Sequence, residues 1–219
     1  MTETGVSTKA IEEEVKKFIL KNNAKPAFLG YRGYPAALCV SVNEEVVHGI
    51  PLKQKKLRKG DIVSYDVGVE MNGFCGDLAV TVPVEEVPPV SKRLMEVTKK
   101  ALLLGVEQAK PGNRLGDIGA AIQNFVEKNG FQVVRDFVGH CIGRKIHEEP
   151  QIPNTGIAGT GLKLKAGMVM AIEPMVNEGT FAVRVLSDNW TVVTLDGKRS
   201  AHFEYTVAIL SDGPEILSE

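Results

Sequence analysis

The chain has 219 residues, 43% hydrophobic and 24% charged, which suits an ordinary soluble globular protein with a sizeable core. Its 26 Lys and Arg balance 27 Asp and Glu, and the net charge of -1 argues against an overall electrostatic grip on nucleic acid or an anionic membrane. No apolar run approaches the ~20 residues of a membrane helix. The polar start Met1–Lys9 carries no signal-peptide stretch, and the scattered Cys39, Cys75 and Cys141 suggest neither a disulfide framework nor a thiolate zinc site, so a reducing cytoplasm is the expected setting.

In chain order, residues 5–23 read as an amphipathic helix, with Ile11, Val15 and Phe18 at helical spacing. A basic run follows, comprising Lys53, Lys55, Lys56, Arg58 and Lys59. Ile62–Val69 and Phe74–Val82 flank Asn72-Gly73, a strong short signal for a β-hairpin. A second helix spans Ser91–Ala109, between Pro88-Pro89 and Pro111-Gly112, and residues 112–130 form a third around Ile118, Ile122 and Phe125. Further β-rich runs are Val133–Val138, Met168–Ile172, Phe181–Val185, Trp190–Leu195 and Phe203–Leu210. The order predicts an α+β chain with antiparallel sheets.

Residues 5–23 also align without a gap on 112–130, matching Gly5, Ile11, Phe18, Lys21 and Asn22 with Gly112, Ile118, Phe125, Lys128 and Asn129. Either any two amphipathic helices would look this alike, or the chain duplicates an α+β unit and sets its site between the halves. The second copy is preceded by a helix and the first is not, so a duplicated chain is expected to lack its first helix.

The hairpin turn sets Asp66 opposite Ala79 and Asp77 opposite Gly68, which places both carboxylates on one face among small residues, ~5–8 Å apart. The other face, from Val63 and Tyr65 to Val80 and Val82, reads as core. Two such carboxylates repel unless a cation or proton lies between them, although a solvated outer face would also carry acids. His140 stands near glycines after a β-rich run, Glu173 ends an apolar run, and Glu204 lies inside a strand pattern. Two Asp, two Glu and one His exceed one tetrahedral zinc and suit a pair of divalent ions bridged by carboxylates.

The segments NEEVVHGIP (43–51), YDVGVEMNGFCGD (65–77), GHCIGRKIHEEP (139–150), IEPM (172–175) and Trp190 with TVVTLDGKRSAHFEYT (191–206) resemble type I methionine aminopeptidase. The resemblance implies a pita-bread fold: one catalytic domain over 1–219, with pseudo-twofold halves of about 1–90 and 91–219 and antiparallel sheets covered by helices. It implies two divalent metal ions (Co, Mn, Fe or Zn) held by Asp66, Asp77, His140, Glu173 and Glu204, with Glu173 also shuttling a proton from the attacking water. His48 and His147 would hydrogen-bond the scissile amide and the oxyanion, while Tyr31, Tyr34, Cys39 and Trp190 would line the methionine pocket or merely pack in the core. Cys141 and Ile146 depart from the usual residues and suggest a looser pocket. His202, two residues from Glu204, would be a metal ligand or a supporting hydrogen-bond partner. The expected activity is cytoplasmic removal of the initiator methionine from nascent chains and peptides with a small second residue, by a monomer. An X-Pro dipeptidase-like hydrolase and a catalytically silent binding module are the alternatives. The basic run is either a solvated connection or a contact to ribosomal RNA near the nascent chain.

Overall fold

In the computed structural model, which describes residues 2–218, each helix begins and ends where local chemistry sets it. Ser7 Oγ accepts the Ala10 N–H at 3.2 Å and opens α1 (Thr8–Lys21). The strands β1 (Lys25–Pro26), β2 (Cys39–Val42) and β3 (Glu45–Val47) follow. The long hairpin comprises β4 (Ile62–Met71) and β5 (Phe74–Pro83), and Asn72 and Gly73 between them take φ of 53° and 78°, as a type I′ turn demands. Pro89 starts α2 (Pro89–Gln108), and Asp117, whose Oδ2 accepts the Arg114 N–H at 2.7 Å, fixes the start of α3 (Leu115–Lys128).

The second half continues through β6 (Gln132–Val133), β7 (Gly139–Cys141), β8 (Glu148–Ile152), β9 (Val169–Ile172) and β10 (Met175–Asn177). It closes with β11 (Val183–Val185), β12 (Val192–Thr194), β13 (Ser200–His202), β14 (Glu204–Ile209) and β15 (Pro214–Ile216). The nine-stranded sheet runs β1-β4-β5-β14-β9-β7-β8, with β2 added beside β4 and β15 beside β14, and all of these pairings are antiparallel. Two small sheets, β13-β10-β6 and β11-β12-β3, lie beside it.

Several β-rich runs form shorter strands than the sequence predicts. The run from Val133 to Val138 is a strand only at its start, where Gln132–Val133 pair with β10 and the Val134 N–H donates to the Met175 carbonyl at 3.0 Å, and Phe203–Leu210 begins its strand at Glu204, where β5 pairs with it. Conversely β2, β3, β7 and β8 carry no clean alternation that the sequence reading could separate from loop. They become strands because long-range partners satisfy their backbone groups.

The repeat is visible in backbone hydrogen bonds. Gly5 N–H donates to Leu57 O and Leu57 N–H to Val6 O, while Gly112 N–H donates to Leu164 O and Leu164 N–H to Asn113 O, each partner displaced equally along the chain. The isolated bridges Ser7–Lys56 and Arg114–Lys163 repeat the displacement, as do the caps in which Asn22 and Asn129 each donate through Nδ2 to the carbonyl four residues back at 2.8 Å. The halves differ in cover: α2 and α3 pack as a pair over Ile62, Met170, Ile172 and Val207, whereas α1 alone covers Val63, Val40 and Leu57.

The hairpin register matches the expectation, with Asp66 opposite Ala79 and Asp77 opposite Gly68. Burial of its faces differs from it. Apart from fully buried Val63, the apolar face is half-buried beneath the helices, from Tyr65 and Val67 to Val80 and Val82, while Ser64, Asp66, Gly68, Asp77, Ala79 and Thr81 on the other face are all buried. The second half folds across that face, so the carboxylates point into the molecule and not into solvent.

Candidate active site

The sheet order decides the site. Five consecutive strands, β4, β5, β14, β9 and β7, contribute in turn Asp66, Asp77, Glu204, Glu173 just past the end of β9, and His140. Glu204 pairs with Ala79, which also faces Asp66, so one rung presents two carboxylates with an alanine between them. His140 pairs with Ala171, which faces Thr206, and Thr206 bonds Asp77, so the neighbouring rung presents Asp77 and His140. Directly opposed residues share a face, and the small side chains between them leave room for a ligand. Thr206 pins the rung from both sides: its Oγ1 accepts the Asp77 N–H at 2.9 Å and donates to the Asp77 carbonyl at 2.8 Å.

The electrostatics are those of a cation site. Burial, with the other carboxylates nearby, holds Asp77, Glu173 and Glu204 well above the usual carboxylate range. Burial lifts Asp66 to about 7, against hydrogen bonds from Asp77 and Cys39 that lower it. The Cys39 thiol, pushed up by burial and by the Asp66 charge beside it, keeps its hydrogen for that bond. Asp66 Oδ1 and Glu204 Oε1 are buried with no hydrogen-bond partner among the described residues. His140 Nδ1 lies 3.0 Å from the Cys141 carbonyl and donates to it, which leaves Nε2 with a lone pair aimed between Asp77 Oδ2 at 3.8 Å and Glu173 Oε1 at 3.5 Å. Ligand atoms of Asp77, His140 and Glu204 lie within 4.8 Å of one another. Orphaned buried oxygens around a correctly tautomerised imidazole fit divalent cations.

A cavity of about 360 Å³ opens onto this cluster, and every site residue expected from the sequence lines it: the four acids and His140, with His48, His147, Tyr31, Tyr34, Cys39 and Trp190. His48 sits at φ 58°, a left-handed conformation held by its neighbour: Gly49 N–H donates to Ser41 Oγ, and a Cβ on Gly49 would fall 2.3 Å from the Val40 carbonyl. Its ring meets Phe137 and Trp190 edge-on at 5.6 and 6.1 Å, and burial lowers its pKa to about 4. His147 stacks on Tyr31 at 5.0 Å and lies 4.3 Å from His140; burial, then His140, Arg32 and His48, lower it to about 4. Both imidazoles are therefore neutral near pH 7. Asp188 accepts from the backbone of Trp190 and Thr191 and presents the indole edge-on to Tyr34 at 5.1 Å. The Tyr34 hydroxyl donates to the Gly49 carbonyl at 3.0 Å and ties this wall to His48.

The profile of metallopeptidase family M24 matches residues 1–211. The chain belongs to metallopeptidase family M24. It is 51% identical to methionine aminopeptidase 1 of Bacillus subtilis over 98% of this chain and 86% of that protein, and 53% identical to methionine aminopeptidase of Clostridium perfringens over the same shares. The crystal structure of methionine aminopeptidase from Thermotoga maritima superposes with a TM-score of 0.98 at 51% identity, covering 100% of this chain and 88% of that one. A prolidase from Pyrococcus horikoshii shares the fold alone, with a TM-score of 0.78 at 22% identity over 99% of this chain and 55% of its own. The architecture is the pita-bread fold that these aminopeptidases and prolidases have in common.

In this M24 chain the pocket wall includes residues the sequence reading did not single out. Phe28 presses against Gly68, where a Cβ would meet its ring at 2.6 Å, and Arg32 and Glu149 stand at the cavity mouth. Phe28 had no signal, since its approach depends on a glycine on another strand. Ile146 packs in the wall with Phe28, Tyr34 and Cys39, whereas Cys141 belongs to the main core, so only the first of these two departures shapes the pocket. His202 lies behind Glu173 and does not line the cavity. Within the basic run, Lys55 is engaged by Glu45 at 2.7 Å, while Lys53, Lys56, Arg58 and Lys59 are exposed. Among the described residues no helix is long and apolar enough to cross a membrane.

Proposed function

We infer that this chain removes the N-terminal methionine from peptides and proteins with a small second residue, using a pair of divalent cations. The observation that carries the reading is the convergence of five metal-competent side chains from five adjacent strands on a cavity walled by Tyr34, Cys39 and Trp190. Asp66, Asp77, His140, Glu173 and Glu204 would hold the cations, whose identity among Mn, Fe, Co and Zn follows availability more than ligand type. When bound, such a pair supplies Lewis acidity at the scissile carbonyl and acidifies water at neutral pH.

The protein's own groups do the remaining work. Neutral His48 and His147 can each donate one hydrogen bond, to the peptide amide and to the oxygen that gains charge. Glu173, mostly buried at the cavity wall, accepts and returns a proton through a carboxylate oxygen. The aromatic wall and the Cys39 thiol receive a thioether without an unpaired polar group. Identity of 51–53% to methionine aminopeptidases favours this reading over an X-Pro dipeptidase, to which the likeness is one of fold alone. Retention of all five ligand positions disfavours a silent binding module.

The test is release of free methionine from Met-Ala-Ser by metal-stripped protein, before and after addition of Mn or Co, with Gly-Pro as the control. Metal-dependent release from Met-Ala-Ser and none from Gly-Pro is expected. Gly-Pro cleavage, or no release from protein shown to hold two metals, would reject the reading.

A further inference from the structure

His202 is buried, and its Nε2 has no hydrogen-bond partner among the described residues. That nitrogen lies 3.7 Å from Glu173 Oε2, while the other oxygen of the same carboxylate, Oε1, lies 3.5 Å from His140 Nε2. We propose that His202 is a positioning residue that orients the Glu173 carboxylate by donating from Nε2, so that Oε1 stays turned toward the cation site. The proposal deepens the dinuclear reading and rests on it.

The backbone makes His202 suited to the task. Its N–H donates to Thr81 Oγ1 at 2.8 Å, and Thr81 Oγ1 donates back to its carbonyl at 2.8 Å. Thr81 has one hydrogen to give, so Ser64 donates to it at 2.8 Å and completes the clamp. His202 ends β13 opposite Met175, at the level where two segments change sheets: Glu173-Pro174 leaves the large sheet for the small one, and Phe203 returns to it. The Phe203 N–H to Pro174 carbonyl contact at 3.4 Å joins the crossovers. The ring is thus anchored through β13 independently of Glu173.

With cations bound, Glu173 is ionised and only accepts, so the imidazole nitrogen that faces it then carries hydrogen. The present separation needs to close by less than one ångström to become a hydrogen bond. Direct ligation fits less well: Asp66, Asp77, His140, Glu173 and Glu204 all line the cavity, and His202 does not. His202 therefore acts through Glu173, as partners of metal ligands generally do.

The experiment titrates Mn calorimetrically into metal-stripped wild type, His202→Ala and His202→Gln, and follows Met-Ala-Ser kinetics in the reloaded proteins. The Ala variant should bind Mn ~10–100-fold more weakly at the affected site and lose kcat with KM little changed, whereas Gln, whose amide can donate to Glu173, should restore the Mn Kd to within ~3-fold. If the Ala variant does not fold, His202→Leu, which keeps the buried volume without a donor, takes its place. Wild-type Mn affinity in the donor-less variant would overturn the proposal. Gln binding as weakly as Ala would overturn it in favour of direct ligation. Wild-type protein that takes up no Mn would overturn the metal reading beneath it as well.

Discussion

Buried titratable residues give the site a signed pH dependence in the metal-stripped protein. Asp66, at about 7, and Asp77, Glu173 and Glu204, all held well above the usual carboxylate range, are raised above their unfolded values, so their contribution is present at low pH and lost as pH rises through the folded values. His48 and His147, at about 4, with His202 at about 3 and lowered His140, act oppositely, but only below about 7.5, above which unfolded histidine has lost nearly all its protons. Between about pH 7.5 and 8.5 the acids dominate the change. Stability of metal-stripped protein should then fall by about 1.4 kcal/mol per pH unit for each proton the folded cluster still holds. Urea melts at about pH 7.5, 8.0 and 8.5 check this, and a flat or rising profile would mean that the carboxylates do not share protons as described. Saturating Mn should abolish the decline, because cations replace the protons.

At the level of elements, one threonine carries the alignment of two strands. The ladder between β14 and β5 covers Glu204–Ala79 and Tyr205–Leu78, and Thr206 extends it through two bonds to the Asp77 backbone. Thr206→Val keeps the shape but orphans a buried N–H and carbonyl. It should cost ~1–3 kcal/mol of unfolding free energy and weaken Mn binding by displacing Asp77. Chemical denaturation with parallel Mn titration reads both, and an unchanged Mn Kd at reduced stability would limit Thr206 to a structural role. The β4–β5 hairpin was legible from sequence because a two-residue Asn-Gly turn and a side-chain period of two determine which residues face each other. Thr206 was not, because its bond spans strands far apart in sequence.

For the whole molecule, the cations would join the halves, since Asp66 and Asp77 come from the first and His140, Glu173 and Glu204 from the second. Cations that bind only the folded state stabilise it by mass action, about 2.7 kcal/mol per site at a hundredfold excess over Kd. For a chain of this size each such site should raise Tm by roughly 5–11 °C. Differential scanning fluorimetry with Mn and then EDTA checks it: a single transition should move up and back. Two transitions, or one that metal does not move, would show that the halves melt independently of the site. The repeat that suggested two halves came from matched glycines and apolar positions, and the equally displaced bonds at Gly5 and Gly112 give it a structural basis.

By itself the sequence determined what local rules govern: the three helices, the hairpin and its register, the pairing of the two aspartates on one face, and the identity of every ligand candidate. Those follow from capping, turn chemistry and periodicity, which act over a few residues. Only the tertiary structure decided that the carboxylate face turns inward, that Phe28 closes on Gly68, and that His202 stands against Glu173. These outcomes depend on strand order and on two crossovers between sheets, at Pro174 and Phe203. Contacts of that kind are set by packing between distant segments, which no local pattern encodes.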